Sequence, residues 1–331
     1  MNPQRRQWLQ RAAASGGAAL LAPVLAGCRG RAPLTVAYHP WPGYATLKLA
    51  EHLGWWQGTP LRSLATGSAS ASRAALAEDR AQAAALTLDE VLVASAQGLA
   101  LTVVFVFNLS YGADVVLARP SHREPARWPG ARLGYEPGAV GELMAEAWLR
   151  HAGLDEAALR VVPLAFDQHE AAWQAEQVDL LVTSEPVASR LEEQGALRLF
   201  DSTQLPPQTP IVDVLAVRRD ALAARRAALQ TLVRSLLQGL KHLQMLPGDA
   251  ALRLGPWLGL PSERVIPSFR GLRLQSWQDN RAWLGVGAPA HLYKAAAGLA
   301  TFLHAHGRLP QPRPPTRLVT GSLLPAKEPP W

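Results

Sequence analysis

The chain has 331 residues, of which 48% are hydrophobic and 18% charged, and its formal net charge is +7. This composition supports a large core divided between two lobes or domains and argues against a disordered chain. The basic residues are scattered and do not form the basic stripe with interleaved aromatic residues that a nucleic-acid-binding surface shows. Nucleic acid is therefore not an expected partner.

The first 27 residues have the features of an export signal. Arg5 and Arg6 form a positively charged start that resembles a twin-arginine motif, and a weakly apolar stretch follows over residues 12–26. This stretch is too short to span a membrane stably. We therefore expect residues 1–27 to be a signal peptide and the mature protein to lie outside the cytoplasm.

A lipid-attachment signal ends this segment. Leu25-Ala26-Gly27-Cys28 resembles the bacterial lipobox, in which the cysteine is lipidated and becomes the first residue of the mature protein. Cys28 is the only cysteine of the chain, which excludes an internal disulfide. The sequence thus predicts a protein of the periplasm or cell surface that is anchored to a membrane through lipidated Cys28.

Strands and helices alternate along the mature chain. Short apolar runs predict buried strands, and apolar residues at helical spacing predict helices. The predicted strands are 34–38, 61–65, 83–87, 101–107, 113–118, 132–135, 160–163, 178–183, 197–200 and 211–217. The predicted helices are 43–54, 69–78, 88–97, 139–152, 167–176 and 185–194, with a long helix from 220 to about 246 and helical structure to about 307. Short buried strands separated by helices indicate an α/β fold with parallel sheets, followed by a Pro-rich tail over 309–331.

Aromatic and polar residues follow several of the predicted strands, where ligands bind in open α/β sheets. Trp41 and Tyr44 follow the first strand and would either form an aromatic wall for a ligand or pack as part of a rigid turn. Gly67 and Ser68 precede a predicted helix. Free backbone N–H groups there could hold an anionic or carbonyl oxygen, and Ser68 could equally act as an N-cap.

Acidic residues recur at similar positions. Thr87 and Glu90 have the spacing of a capping box, which leaves Asp89 as the acid expected to contact a ligand in that segment. Asp114 lies near the start of the predicted strand 113–118, between a buried strand and the expected crossing, and Asp213 lies inside an apolar strand, so each would contact a ligand or anchor a hinge.

The motifs together resemble one family. They are 37–44 (AYHPWPGY), 67–68 (GS), 84–90 (AALTLDE), 112–114 (GAD), 136–142 (EPGAVGE), 184–186 (SEP) and 212–214 (VDV). In this order, and over about residues 33–303, they resemble the nitrate/sulfonate/taurine/thiamine-precursor group of ABC-transporter solute-binding proteins. The resemblance implies the type II periplasmic-binding-protein fold, in which two α/β lobes close on a ligand around a two-stranded hinge.

The resemblance also implies how the chain is divided. Crossings between the lobes are expected near 115–120 and 210–217, which gives a first lobe of residues 33–116 and 213–331, including the Pro-rich tail, and a second lobe of 117–212. Glu136, Gly138 and Ala139 are then the counterpart in the second lobe of the Gly67–Ser68 loop. Glu185 begins a helix of the same lobe, where a carboxylate also favours the helix dipole.

The implied function is capture of a small polar organic molecule for an ABC permease in the membrane, by a monomer that needs no cofactor or metal and catalyses no reaction. Two alternatives stay open, namely a lipoprotein that senses a ligand for a membrane partner and an enzyme similar to the fungal thiamine-pyrimidine synthases. Those enzymes carry a cysteine cluster, whereas this chain has one cysteine. The histidines lack the spacing of a metal site.

Two features of the sequence make opposite predictions about the charge of the ligand. The acids at Asp89, Asp114, Glu136, Glu185 and Asp213 have no lysine or arginine in their motifs, which favours a ligand with a cationic or hydrogen-donating nitrogen. The helix N-termini near residues 68 and 138 would instead attract an anionic group. A zwitterion would satisfy both.

Overall fold

The computed structural model describes residues 32–330. The predicted signal peptide, residues 1–27, and the predicted lipidation site, Cys28, lie outside the described residues. Within residues 32–330, no helix is both long enough and apolar enough to cross a membrane.

The strands of the described region form two sheets. In chain order they are β1 (Leu34–Tyr38), β2 (Leu61–Ala65), β3 (Ala83–Thr87), β4 (Leu101–Ser110), β5 (Asp114–Ala118), β6 (Arg132–Tyr135), β7 (Arg160–Pro163), β8 (Leu180–Ser184), β9 (Leu197–Asp201), β10 (Val212–Arg218) and β11 (Leu272–Leu274). The first sheet has the order β11-β4-β10-β3-β1-β2, and the second has the order β7-β6-β8-β5-β9. The sheets define the two lobes.

Helices flank both sheets. They are α1 (Ala45–His52), α2 (Ala69–Ala77), α3 (Leu88–Ala96), α4 (Val140–Ala152), α5 (His169–Gln174), α6 (Val187–Glu193), α7 (Arg219–Ala224), α8 (Arg226–Met245), α9 (Pro247–Leu258), α10 (Ser262–Val265), α11 (Trp277–Trp283) and α12 (His291–Ala305). The long helix predicted over 220–246 is therefore two helices, because the chain leaves the helical conformation at Arg225, the cap between them.

Strand direction brings polar side chains together at one edge of each sheet. β1 is parallel to β2 and β3, and β6 is parallel to β7 and β8, as the sequence predicts. β5 and β10 run antiparallel to their neighbours, so each begins where β8 or β3 ends. Asp114 consequently lies opposite Ser184, and Asp213 lies opposite Thr87.

The chain crosses between the sheets twice. It leaves the first sheet at Ser110 and enters the second at Asp114, and it returns between Asp201 and Val212. The first crossing precedes the predicted segment 115–120, because β5 pairs along its whole length with β8 and lies wholly in the second sheet. The structure thus places residues 114–116, which the sequence assigns to the first lobe, in the second sheet, and the division of the chain into the two lobes stays a prediction.

Residues beyond β10 complete the first lobe. The sequence predicts helix from 220 to about 307, but β11 lies in this range and pairs with the end of β4. The fully buried Asn280 forms hydrogen bonds with the same edge of β4. Its Oδ1 accepts from the Val106 N–H at 2.7 Å, and its Nδ2 donates to the Val106 carbonyl at 2.9 Å. The Pro-rich tail also packs on this sheet, where Val319 bridges to Val103.

Candidate functional site

A cavity lies between the lobes, at the sheet edges where Asp114 and Asp213 begin their strands. The space free of atoms there is about 540 Å³, part of it open to solvent. Both lobes line it. The lining residues are His39, Trp41, Tyr44, Ala69, Thr87, Glu90, Asp114, Glu136, Ala139, Val140, Gly141, Phe166, His169, Val182, Thr183, Ser184, Ile211 and Asp213.

One side of the cavity is an aromatic wall fixed by Asp213. The Tyr44 hydroxyl donates to Asp213 Oδ1 at 2.7 Å, and Trp41 Nε1 donates to Oδ2 at 3.4 Å. Pro42 begins a short 3₁₀ turn, Pro42–Tyr44, which Trp41 precedes as the cap residue. Gly43 lies within this turn, where a Cβ would overlap the side-chain amide of Asn108. The turn therefore requires glycine at this position.

Buried carboxyl groups concentrate at the same place. Burial raises the pKa of Asp213 and of Glu90 to about 8 and that of Asp114 to about 7. Nearby acids add to these shifts, since each carboxylate disfavours the charged form of the others. Within residues 32–330, no lysine or arginine lines the cavity. Arg73 lies behind the wall and lowers the pKa of Glu90 only in part.

Two histidines of the wall are neutral. Burial lowers the pKa of His39 and of His169 to about 4, so neither is charged at pH 7. His169 Nδ1 lies 3.1 Å from Thr183 Oγ1, while its Nε2 has no hydrogen-bond partner among the described residues. The histidines therefore offer polar atoms to a ligand without offsetting the acids.

Two glutamates connect the lobes through helix N-termini. Glu136, in the second lobe, accepts a hydrogen bond from the Ser70 N–H of α2 at 2.8 Å. Glu90, in the first lobe, accepts from the Val140 N–H of α4 at 3.1 Å and from the Thr87 N–H at 2.9 Å. Each lobe thus supplies a carboxylate to the free N–H groups at the start of a helix in the other lobe.

The structure places six of the predicted ligand residues on the cavity wall. These are Trp41, Tyr44, Asp114, Glu136, Ala139 and Asp213. Whether they contact a ligand stays a prediction.

Five other candidates lie off the wall. They are Gly67, Ser68, Asp89, Gly138 and Glu185. The reason differs between them. Ser68 caps α2 by accepting from the Ala71 N–H at 3.3 Å, and Glu185 accepts from the Ser189 hydroxyl at 2.8 Å. A Cβ at Gly67 would overlap the Asp167 carboxylate of the other lobe, and one at Gly138 would lie 3.0 Å from the Arg73 guanidinium. Asp89 is buried beside the cavity, where burial raises its pKa to about 6.

Sequence reasoning missed four prominent wall residues, which are His39, Glu90, Phe166 and His169. Glu90 was assigned to the capping box, which uses one of its two oxygens and leaves the other for Val140. His39 directly follows β1, so its position in the sequence could have identified it as a residue of the cavity wall. Phe166 and His169 face the cavity because of the way the second lobe packs, and their positions in the sequence do not indicate this.

Two facing sheets joined by two crossings, with a polar cavity between them, define the two-lobed fold of the periplasmic binding proteins. The model of the NMT1-like family matches residues 29–251, and the chain belongs to this family. The predicted fold class and family resemblance are thereby confirmed. No match was found among curated protein sequences.

Solved structures with the same fold cover most of the chain. The periplasmic aliphatic sulphonate binding protein SsuA from Escherichia coli is 17% identical with a TM-score of 0.66, covering 90% of this chain and 93% of that one. The alkanesulfonate-binding protein SsuA from Xanthomonas axonopodis pv. citri, bound to MOPS, is 19% identical with a TM-score of 0.70, covering 88% and 98%. The periplasmic nitrate-binding protein NrtA from Synechocystis PCC 6803 is 13% identical with a TM-score of 0.68, covering 85% and 83%.

Proposed function

We propose that this protein is the solute-binding component of an ABC importer, and that it captures a small polar organic molecule between its lobes and delivers it to a membrane permease. The observation that carries the proposal is the cavity, whose wall comes from both lobes and combines aromatic and polar side chains with small and aliphatic ones. The solved structures of the same fold support it, since they are named as sulfonate- and nitrate-binding proteins. Binding, not catalysis, is the proposed activity.

Capture would proceed by closure of the lobes around the two crossings. A ligand that contacts both lobes favours the closed arrangement over an open one. Hydrogen bonds from Ser70 to Glu136 and from Val140 to Glu90 form only when the lobes are together. The partly exposed Arg308 adds ion pairs to Glu142 at 2.8 Å and to Glu146 of α4 at 2.9 Å. These contacts hold the cavity shut once a ligand fills it.

Small-angle scattering with a ligand panel tests capture by closure. The panel consists of nitrate, methanesulfonate, taurine, methylammonium, acetamidinium and 4-aminopyrimidine, first ranked by their effect on the melting temperature. We expect the radius of gyration to fall with the compound that stabilises the protein most. Binding that leaves the scattering curve unchanged would contradict closure.

A cavity-filling variant supplies the matched test. Ala139 lies on the wall and is 3% exposed, so Ala139→Leu fills ligand space. We expect this variant to lose both the melting shift and the scattering change. Ala126→Leu makes the same substitution at an exposed position of the second lobe and should keep both. Equal behaviour of the two variants would contradict a ligand site in the cavity.

Export and lipid anchoring belong to the same proposal. A lipid on Cys28 would keep the protein, a monomer, at the membrane face beside its permease. We expect the wild-type protein to fractionate with membranes and to carry an acyl mass on Cys28, and Cys28→Ser to lose both properties. Recovery of the wild-type protein in the soluble periplasmic fraction, without an acyl mass, would refute the anchor.

A further inference from the structure

We propose that the cavity takes a small organic cation that carries N–H donors, such as a primary ammonium or an amidinium, and not an anion. This inference rests on the proposed function and names the chemical class of its ligand. It follows from the way the lobes use their own carboxylates.

The two helix N-termini at the cleft already bind carboxyl groups of the protein. Free N–H groups at the start of a helix are where an anionic ligand would bind. At α2 the Glu136 carboxylate accepts from Ser70, and at α4 the Glu90 carboxylate accepts from Val140. A sulfonate or nitrate would have to displace one of these glutamates. It would then lie beside the displaced carboxylate in a small cavity.

The polar atoms left without partners suit a hydrogen-bond donor. Asp114 lines the cavity and is 4% exposed, and its Oδ2 has no hydrogen-bond partner within residues 32–330. His169 is 3% exposed and also lines the cavity, and its Nε2 is likewise unpartnered in that range. When His169 Nδ1–H donates to Thr183, Nε2 becomes an acceptor. His39 Nδ1 and Thr87 Oγ1 on the same wall also lack partners in that range. Buried polar atoms normally have partners, so these atoms point to a missing ligand, whose donors Asp114 Oδ2 and His169 Nε2 would accept from.

The acidic groups that face the cavity favour a cation once they are ionised. Glu90, Asp114, Glu136 and Asp213 line it, and its two histidines are neutral at pH 7. Asp213 is engaged by Trp41 and Tyr44, whose ring faces would stabilise a cation through cation–π contact. Arg73 lies outside the wall and acts on Asp89 and Glu90.

The raised pKa values supply a signature of ligand charge. The carboxyls with a pKa of about 7 to 8 hold protons near neutral pH, and a cation binds their ionised forms. Cation binding must therefore release protons and strengthen as the pH rises from 6 to 8. Anion binding at the same groups would take up protons and weaken over that range.

Isothermal titration calorimetry of the full-length protein at pH 7, in two buffers with different ionisation enthalpies, measures this proton exchange. The probes are methylammonium and acetamidinium chloride, tetramethylammonium chloride as a cation without N–H donors, and sodium nitrate and methanesulfonate. We expect an N–H cation to bind with proton release and to bind at least tenfold more tightly than tetramethylammonium. Asp114→Asn should weaken that binding at least tenfold, and Asp155→Asn, the same change at an exposed site of the second lobe, should not.

The outcomes separate the ligand class from the function. If nitrate or methanesulfonate binds with proton uptake, or if neither N–H cation binds, the cation assignment is overturned. Solute capture by closure survives that result whenever an anion reduces the radius of gyration. If Asp114→Asn leaves cation binding unchanged, the role of Asp114 is overturned. The proposed function itself fails if compounds of either charge bind without any effect on the scattering.

Discussion

The buried acid cluster predicts how the stability of the ligand-free protein depends on pH. Asp213 is 1% exposed, and burial raises its pKa to about 8 from an ordinary value of 3.8. Between these two values the folded protein holds a proton that the unfolded chain has lost. Stability must therefore fall as the pH rises through this range, because folding takes up a proton.

The size of the effect follows from the pKa difference. One proton changes the free energy of unfolding by about 1.4 kcal/mol per pH unit, so Asp213 alone removes about 2 kcal/mol between pH 6.5 and 8. For a chain of this length, that lowers the melting temperature by about 3 °C. The window begins at pH 6.5 because the buried neutral His39 and His169 have the opposite effect below it. Their pKa values of about 4 make stability rise with pH up to their unfolded value of 6.5.

The variant Asp213→Asn tests this reasoning. It removes the titrating group and leaves one acceptor oxygen for the two donors, Trp41 and Tyr44. The lost hydrogen bond lowers stability by a similar amount at every pH, so the slope with pH is the informative quantity. We expect denaturant unfolding to give a shallower decline for Asp213→Asn than for the wild type between pH 6.5 and 8. Asp155→Asn, at an exposed site, should keep the wild-type slope. Equal slopes for all three proteins would refute the buried proton.

Two further predictions concern the packing of the first lobe. In Gly298→Ala the new methyl group would overlap the Gln208 carbonyl oxygen of the return crossing, and we expect a loss of about 1–3 kcal/mol in unfolding free energy. Gly248→Ala, in a helix with open space around it, should instead be neutral or stabilising by up to about 1 kcal/mol. A Gly248→Ala protein that is less stable than Gly298→Ala would count against this packing. Asn280→Ala leaves the Val106 N–H and carbonyl without their partner, which should cost about 1–3 kcal/mol in thermal or denaturant unfolding; wild-type stability would show that the Asn280 bonds contribute nothing.

Most of the fold could be predicted from sequence because its strands are short, apolar and regularly spaced. The strands at 34–38, 61–65, 83–87, 132–135 and 160–163 were predicted with the limits that the structure gives. β11 could not be predicted, because its three residues form a strand only through pairing with β4. The position of the first crossing was wrong for a related reason. The apolar run after Asp114 does not reveal which sheet it joins.

The site was predictable where position along a strand decides which way a residue faces. Asp114 and Asp213 begin strands at the cleft edge, and Trp41 follows a strand that ends there. Glu90 and Glu185 show the limit of local spacing. The capping box accounts for one carboxylate oxygen of Glu90. It does not indicate that the other oxygen accepts from Val140, fifty residues away in the chain. Glu185 is predicted among the acids at the ligand, but the Ser189 hydroxyl, four residues later, donates to its carboxylate.

The antiparallel pairing of β5 with β9 has an evolutionary consequence. Val115 lies opposite Asp201, so the two ends of the second-sheet segment emerge side by side. The segment 114–201 is therefore an insertion whose two ends meet at one place in the first lobe. It carries Asp114, Glu136 and His169, whereas Trp41 and Asp213 remain in the host lobe. Recombination at only two neighbouring junctions would therefore exchange half of the cavity wall at once, which gives this architecture a short route to new specificities.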